Sequence, residues 1–264
     1  MTTPAKPSHG PVLAIAVFGE SASVALHPGA AAGSELAIAH ETVGQSHSAR
    51  ILALVSRVLA QSGRRPADLA GVAFEAGPGS FTSLRVACAL AQGFGLALDV
   101  PVCPVGTLEA AAVSLALAQG DVAARGRSEA RVFVANDARM GECYFGAFHV
   151  EVGAPGDGAR ASSLLEVGCD KPSRVADALG QWARRSPGLR FTGDAHERHG
   201  ELADALARLG IVPLAARADA AAIAMVAAGP GATWLDPVDA APRYVRDKVA
   251  LDVDEQRALR AARA

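Results

Sequence analysis

The fold turns on one stretch, Ala76-Gly77-Pro78-Gly79-Ser80-Phe81-Thr82-Ser83-Leu84-Arg85. Ahead of it, Val72-Ala73-Phe74 reads as a buried strand, and behind it an apolar helix runs to about Leu98. Gly77 and Gly79 let the backbone turn sharply, and Pro78 fixes one dihedral between them. Ser80 stands where an N-cap belongs, its hydroxyl placed to accept from an amide of the first helical turn. A glycine loop opening onto a helix start holds an anion in some proteins and is a plain strand-to-helix turn in others.

Along that helix, Ser83, Ala87, Ala91 and Gly95 recur every four residues and share one face. A face so small admits a second helix at close range, whether from this chain or from a partner. The neighbouring row of Leu84, Leu90, Phe94 and Leu98 is bulky enough to bury against a sheet.

Upstream, residues 12–17, 23–26 and 35–39 read as three short strands separated by turns, an antiparallel meander. A helix follows over 46–62, in which Ile51, Leu52, Leu54, Val55, Val58 and Leu59 take the spacing of a buried face. Downstream, 100–105 is a strand, and Gly106-Thr107-Leu108-Glu109 opens an alanine-rich helix. Three antiparallel strands, then helix, strand, helix, strand is the order of one ribonuclease-H-like half. After a polar segment at 120–130 the pattern starts again. Residues 131–135 and 143–150 form a hairpin, 172–184 and 196–209 are helices around a strand at 189–192, and a last alanine-rich helix spans 218–228. The expected fold is α/β, two actin-like (ribonuclease-H-like) halves, each a mixed sheet flanked by helices. Residues 11–119 form the first half and 120–217 a reduced second half. Residues 218–250 are a helix and end segment packing back on the first, and 1–10 and 251–264 are loose tails.

Bulk properties narrow the function. Half of the 264 residues are hydrophobic, and 25 basic against 27 acidic side chains leave a net charge of −2. A chain that binds nucleic acid unaided is usually basic, so that role is disfavoured. Cys88, Cys103, Cys143 and Cys169 form no CxxC pair and sit on apolar elements, as buried thiols of a reducing compartment do. The N-terminal ten residues hold two prolines and no apolar core, unlike a signal peptide, and no apolar run reads as long enough to span a bilayer. A cytoplasmic protein with no membrane partner is expected.

The run Gly77 to Arg85, followed by Gln92-Gly93, Pro101 and Thr107-Leu108-Glu109, resembles the TsaB (YeaZ) family. Gln45-Ser46-His47-Ser48, Asp137 to Tyr144, and Pro242-Arg243-Tyr244-Val245-Arg246 agree with the same family in the same order. The resemblance implies a non-catalytic subunit of the bacterial machinery that makes threonylcarbamoyladenosine beside the tRNA anticodon. It implies pairing with a TsaD-like catalytic subunit through helices 46–62 and 80–98, with a TsaE-like ATPase as a further partner. On those helices the implied interface is His47, Ile51, Leu54, Val55 and Val58, with Ser83, Ala87, Ala91 and Gly95. ATP and a metal would belong to the partners, tRNA would be met only through the complex, and the isolated chain would form a homodimer. The chain departs from the family in two places. Ala16 and Val17 stand where the first strand usually ends in Asp-Thr, which weakens any nucleotide role, and Ser83 replaces a usual glycine.

Other readings compete. The loop 77–82 lacks the lysine of a P-loop, so a phosphate cradle competes with a structural turn. Arg85 reaches either a phosphate, a partner carboxylate or a neighbour in its own domain. Ser80 sits in Gly-Pro-Gly-Ser-Phe, unlike a nucleophile elbow. His47 lacks a second histidine four residues on, where Ile51 stands, and Asp194, His196 and His199 form a loose ligand-like group. Asp137 and Arg139 either face the cleft between halves or make a tight turn. Arg257, Arg260 and Arg263 share a helical face that suits either tRNA phosphate or a solvated end. The alternative function is an actin-like ATPase or small-molecule kinase using the cleft.

Overall fold

A computed structural model of the chain describes residues 10–18, 21–29, 36–42, 47–119, 128–153 and 156–246, with backbone alone at 47 and 48. In the first half, β1 (Val12–Phe18), β2 (Ser21–His27) and β3 (Ala37–Thr42) make the antiparallel meander. On the other side of β1, β4 (Gly71–Gly77) and β5 (Val102–Gly106) join in parallel, giving the order β3-β2-β1-β4-β5. Helices α1 (His47–Gln61), α2 (Phe81–Leu98) and α3 (Thr107–Gln119) connect them.

The second half repeats this plan. Strands β6 (Ser128–Arg139), β7 (Glu142–Val152) and β8 (Ala159–Asp170) form a meander, and β9 (Arg190–Thr192) and β10 (Pro213–Leu214) add in parallel. The order β10-β9-β6-β7-β8 is the first order read from the other edge, so the two halves are actin-like repeats. Their helices are α4 (Pro172–Arg185), α5 (Ala195–Arg198), α6 (Gly200–Leu209) and α7 (Ala220–Ala228). Two strands escape the sequence reading. β8 is mostly half-exposed, so its apolar residues do not alternate cleanly, and β10 is only two residues long. The polar segment 120–127 and the tail arginines Arg257, Arg260 and Arg263 lie outside the described residues.

Each sheet is covered on its outer face by its own helices. Ile51, Leu54, Val55 and Val58 of α1 meet Leu13, Ile15 and Phe74, while Val175, Leu179 and Leu202 meet Phe133 and Phe191. Between the sheets the arrangement crosses over. α3 packs on β6, β7 and β8 as well as on its own strands, and α7 packs on β1 and β2 of the other half. Both helices are apolar around most of their circumference, as a helix sandwiched between layers must be. Alanines at 110–112, 116, 222, 224 and 227 keep that middle layer thin. The start of α7 is held by Asp219, which accepts from Ala222 N–H at 2.8 Å, and by Ser23 Oγ, which accepts from Ala220 N–H at 2.9 Å.

Two expectations about α2 are corrected here. The strip Ser83, Ala87, Ala91 and Gly95 is buried within the chain itself, turned onto β1, β4 and the short 3-10 turn at Pro237–Asp239. A Cβ on Gly95 would stand 2.6 Å from Pro237 Cγ, so the small residues let the sheet side of the same half approach. The strip is therefore not open to a partner, and Ile51, Leu54, Val55 and Val58 of α1 are likewise core. Secondly, α2 is long and apolar enough to cross a bilayer by length and composition, contrary to the sequence reading. One row of it, with Leu84, Ala87, Cys88 and Ala91, is packed into the core of its own half, while Phe81 and Leu96 stay exposed.

Candidate functional site

The glycine loop and the Pro242–Arg246 segment, far apart in sequence, meet at one place. Gly77 takes φ +110°, and a Cβ there would stand 2.7 Å from Arg243 O and 2.8 Å from Leu84 Cδ1. Only glycine fits, because the C-terminal segment crosses directly over it. Arg243 N–H donates to Ala76 O at 2.7 Å, and its guanidinium to Pro104 O at 3.4 Å. The space above the loop's first glycine is thus filled by this strap. Ser80 caps α2, its hydroxyl accepting from Ser83 N–H at 3.5 Å.

The strap then runs on to the second half. Tyr244 lies against Phe81, ring centroids 5.6 Å apart, and its hydroxyl accepts from Arg85 Nε at 3.2 Å. Arg85 also places its guanidinium 3.8 Å from the Phe81 ring centre. Arg246 pairs with Glu142 and donates to Arg139 O at 3.2 Å. Three family motifs (the glycine loop, the β6–β7 turn and the strap) are therefore one physical unit. Arg85 is resolved as a contact within the chain.

Beneath the loop sits a group the sequence reading passed over. Glu75, 1 % exposed near the end of β4, accepts from Thr107 Oγ1 at 2.9 Å and from Val17 N–H at 3.1 Å. Burial pushes its carboxyl up to about 7, against the opposing pull of those two hydrogen bonds. The β1–β4 register pairs Ile15 with Phe74, so Glu75 is level with Ala16, the position without its family aspartate. A carboxyl thus stands one strand over, with both oxygens engaged and no exposure to a ligand. The signal was available: a lone acid in the apolar run Val72-Ala73-Phe74-Glu75-Ala76.

The cleft between the halves is lined on one side by Ala16, Phe18 and Ser21–Ser23 and on the other by 215–219, with a volume of about 590 Å³. A neighbouring cavity of about 320 Å³ adds Asn136, Asp194 and His196. Asp137 does not face this space. Its carboxylate accepts from Arg139 N–H at 3.1 Å and His199 Nε2 at 3.2 Å, with Arg198 Nε 3.4 Å away. Arg139 is exposed on the β6–β7 turn at φ 63°. The cleft reading of Asp137 and Arg139 is therefore corrected to a turn tied to the α5–α6 corner. His196 bonds to Gly193 O and lies edge-on to Phe191, apart from His199. Among the described residues no three His, Cys, Asp or Glu side chains converge on a metal position. The His47 side chain lies outside the described residues. Cys88, Cys103 and Cys143 are buried and Cys169 is half-buried.

One surface is rich in small and apolar residues. The outer face of α2 carries Phe81, Thr82, Arg85, Ala89, Gly93, Leu96 and Ala97, and that of α1 carries Leu52, Ala53, Ser56 and Ala60 beside Arg50, which pairs with Glu41, and Arg57, which donates to His40 O. Leu96 is 60 % exposed and Leu52 45 %, and a Cβ on Gly93 would meet nothing within 4 Å. α1 and α2 are in contact, so these faces adjoin.

Fold and site together define a two-half actin-like protein whose first half carries the glycine-loop motif and an apolar helix layer. Comparison with known proteins agrees with that class. A family model described as TsaD, tRNA N6-adenosine threonylcarbamoyltransferase, matches residues 35–177. The tRNA threonylcarbamoyladenosine biosynthesis protein TsaB of Escherichia coli K12 is 31% identical over 90% of this chain and 96% of its own length. The Bacillus subtilis TsaB is 27% identical over 66% of this chain and 68% of its own. A Pseudomonas aeruginosa crystal structure, of a protein with similarity to the peptidase YeaZ, superposes with a TM-score of 0.70 at 25% identity, covering 90% of this chain and all of that one. The chain belongs to the TsaB (YeaZ) family, whose curated members are named for tRNA threonylcarbamoyladenosine biosynthesis.

Proposed function

We propose that this chain is the non-catalytic pairing subunit of a tRNA threonylcarbamoyladenosine-forming complex, acting in the cytoplasm by heterodimerisation with a TsaD-like catalytic subunit. The supporting observation is the outer face of α1 and α2. Small residues at 53, 56, 60, 89, 93 and 97 leave room for a facing helix pair, while Leu52 and Leu96 stand ready to be buried. Helix pairs of this kind pack at 8–10 Å when the contact residues are small. The chain would use the same face for a homodimer when the partner is absent. A TsaE-like ATPase would complete the assembly, and ATP and the metal would reside with the partners.

The enzyme alternative draws on the cleft, but Ala16 offers no carboxylate there and Glu75 is sealed under the loop. The test is a pair of variants on the exposed row, Gly93→Arg and Leu96→Asp, mixed with a TsaD-type protein and followed by size exclusion with light scattering. Loss of the heterocomplex with an unchanged melting temperature supports the reading. Normal pairing by both variants removes this face from the interface.

A further inference from the structure

A further cavity between the halves, of about 380 Å³, lies apart from the cleft. It opens between the two edge strands, β5 of the first sheet and β8 of the second. The start of α3, the segment just after α7 and Arg243 of the strap complete its lining. None of the lining residues belongs to α1 or α2, so the cavity is separate from the pairing face. Its size is that of a small-molecule site.

The polar groups around it are incompletely satisfied. Glu109, in the first turn of α3, is half-buried, and its Oε2 accepts from Gly106 N–H at 3.3 Å. Its Oε1 has no donor among the described residues. Burial pushes this carboxyl upward, against the pull of that hydrogen bond and of the Arg243 guanidinium. Arg243 is therefore near enough to feel the carboxyl, yet the two form no ion pair. Its guanidinium makes one long hydrogen bond, 3.4 Å to Pro104 O. The Arg160 side chain has no hydrogen bond or ion pair among the described residues, although Glu151 stands opposite it on β7. Both arginines reach solvent, so a guest enters without any opening of the fold. The hydroxyls of Ser162 and Thr233 line the same space.

Charge decides what such a cavity takes. The cleft and its neighbouring cavity gather Glu41, Asp194, Glu197 and Asp219 against one guanidinium, Arg217, which disfavours an anion there. This cavity sets two guanidinium groups against one carboxyl. Concave walls of one sign focus their field on the space between them. A guanidinium offers paired N–H groups that match two oxygens of a carboxylate or a phosphate. The unused oxygen of Glu109 fits a donor on the same guest.

We propose that this cavity binds a small oxyanion, a carboxylate or a phosphate, held by Arg160 and Arg243 and carrying a donor group that Glu109 accepts. A guest so held touches both halves and the strap at once, because Glu109 belongs to the first half and Arg160 to the second.

The experiment is isothermal titration calorimetry of the full chain with acetate, ethanolamine, L-serine and O-phospho-L-serine. Acetate carries the oxyanion alone and ethanolamine the donors alone, while the two serine probes join them. The serine probes bind saturably, and the tighter of them tells a carboxylate site from a phosphate site. Arg160→Ala and Arg243→Ala each weaken that binding about tenfold. Glu109→Gln also weakens it, because the carboxyl charge no longer meets the ammonium. Arg243→Ala keeps the backbone bond to Ala76 O that seats the strap. Arg160→Ala, at an exposed edge-strand position, decides alone if the melting temperature of Arg243→Ala falls. No saturable heat from either serine probe at millimolar concentration overturns the proposal, as does wild-type affinity in the arginine variants. Acetate bound as tightly as L-serine overturns the part given to Glu109. No partner protein enters these titrations, so their outcome is independent of the pairing reading.

Discussion

The two halves share a strand order but finish their outer surfaces differently. On the second half, α4 and α6 turn Arg174, Asp177, Gln181, Arg184, Glu201, Asp204 and Arg208 to solvent. On the first half, α1 exposes Arg50 and Arg57, and the outer face of α2 offers a single charge, Arg85, among alanine, glycine, threonine, leucine and phenylalanine. Both layers cover a sheet equally well from inside, so core packing does not account for the contrast. A repeat that closes one side with charge and leaves a helix of the other largely apolar is consistent with the pairing face proposed above. The same asymmetry holds at the inner strand ends. Glu75 of β4 is tied to Thr107 after β5, whereas the Thr192 hydroxyl of β9 lies 2.7 Å from Leu214 O and 2.9 Å from Ala216 O, its one proton shared between them, within and just beyond β10. One half uses a carboxyl for this junction, the other a hydroxyl.

The contrast breaks most visibly at the outer faces. Leu96→Asp should abolish pairing at micromolar protein, while Gln181→Asp on the second half's layer leaves it unchanged, as read by light scattering. The inner junctions come next. The folded-state value of Glu75 is raised from 4.5 to about 7, so the folded chain keeps a proton that the unfolded chain releases in that window. Stability therefore falls as pH rises from about 4.5 to about 7, by on the order of 3 kcal/mol, and levels off above. Glu75→Gln should remove that contribution, seen as a flatter series of urea midpoints against pH. Thr192→Val should cost about 1–3 kcal/mol with no such pH window, because it leaves Ala216 N–H without its 3.1 Å partner.

On the buried side of α2, Ala91→Leu should destabilise by about 1–3 kcal/mol through overpacking against the sheet. Its effect on pairing should be no larger than its effect on folding. The smallest change is Ser80→Ala, about 1 kcal/mol for the lost cap of α2. Asp194 precedes α5 without capping it and instead accepts from Asp137 N–H at 2.8 Å, so no equivalent cap exists there to remove.

The first half was nearly all legible because β1, β2, β4 and β5 are largely buried runs and its helices carry clear stops. The second was harder where β8 lies half in solvent and where β10 shrinks to two residues, while β9, though only three residues long, was legible at 189–192. The face of α2 was misread for a specific reason. Small residues recur at four-residue spacing on two rows, Ser83-Ala87-Ala91-Gly95 and Ala89-Gly93-Ala97, and spacing alone does not say which meets the sheet. Only the position of β1 and β4 decides it. The strap's passage over Gly77 was likewise invisible, since loop and strap are more than 160 residues apart. Their joint membership in one family pattern hinted at a contact that only the fold makes concrete.

The central claim is that the apolar outer layer of the first half binds a TsaD-type protein. The direct measurement is the solution mass of the wild-type chain, alone and mixed with that protein, by light scattering after size exclusion. The account predicts a self-associated species that converts to a one-to-one heterocomplex, and a Leu96→Asp chain that does neither. A wild-type chain that ignores the partner across salt and nucleotide conditions, or a Leu96→Asp chain that pairs as well as wild type, would contradict it.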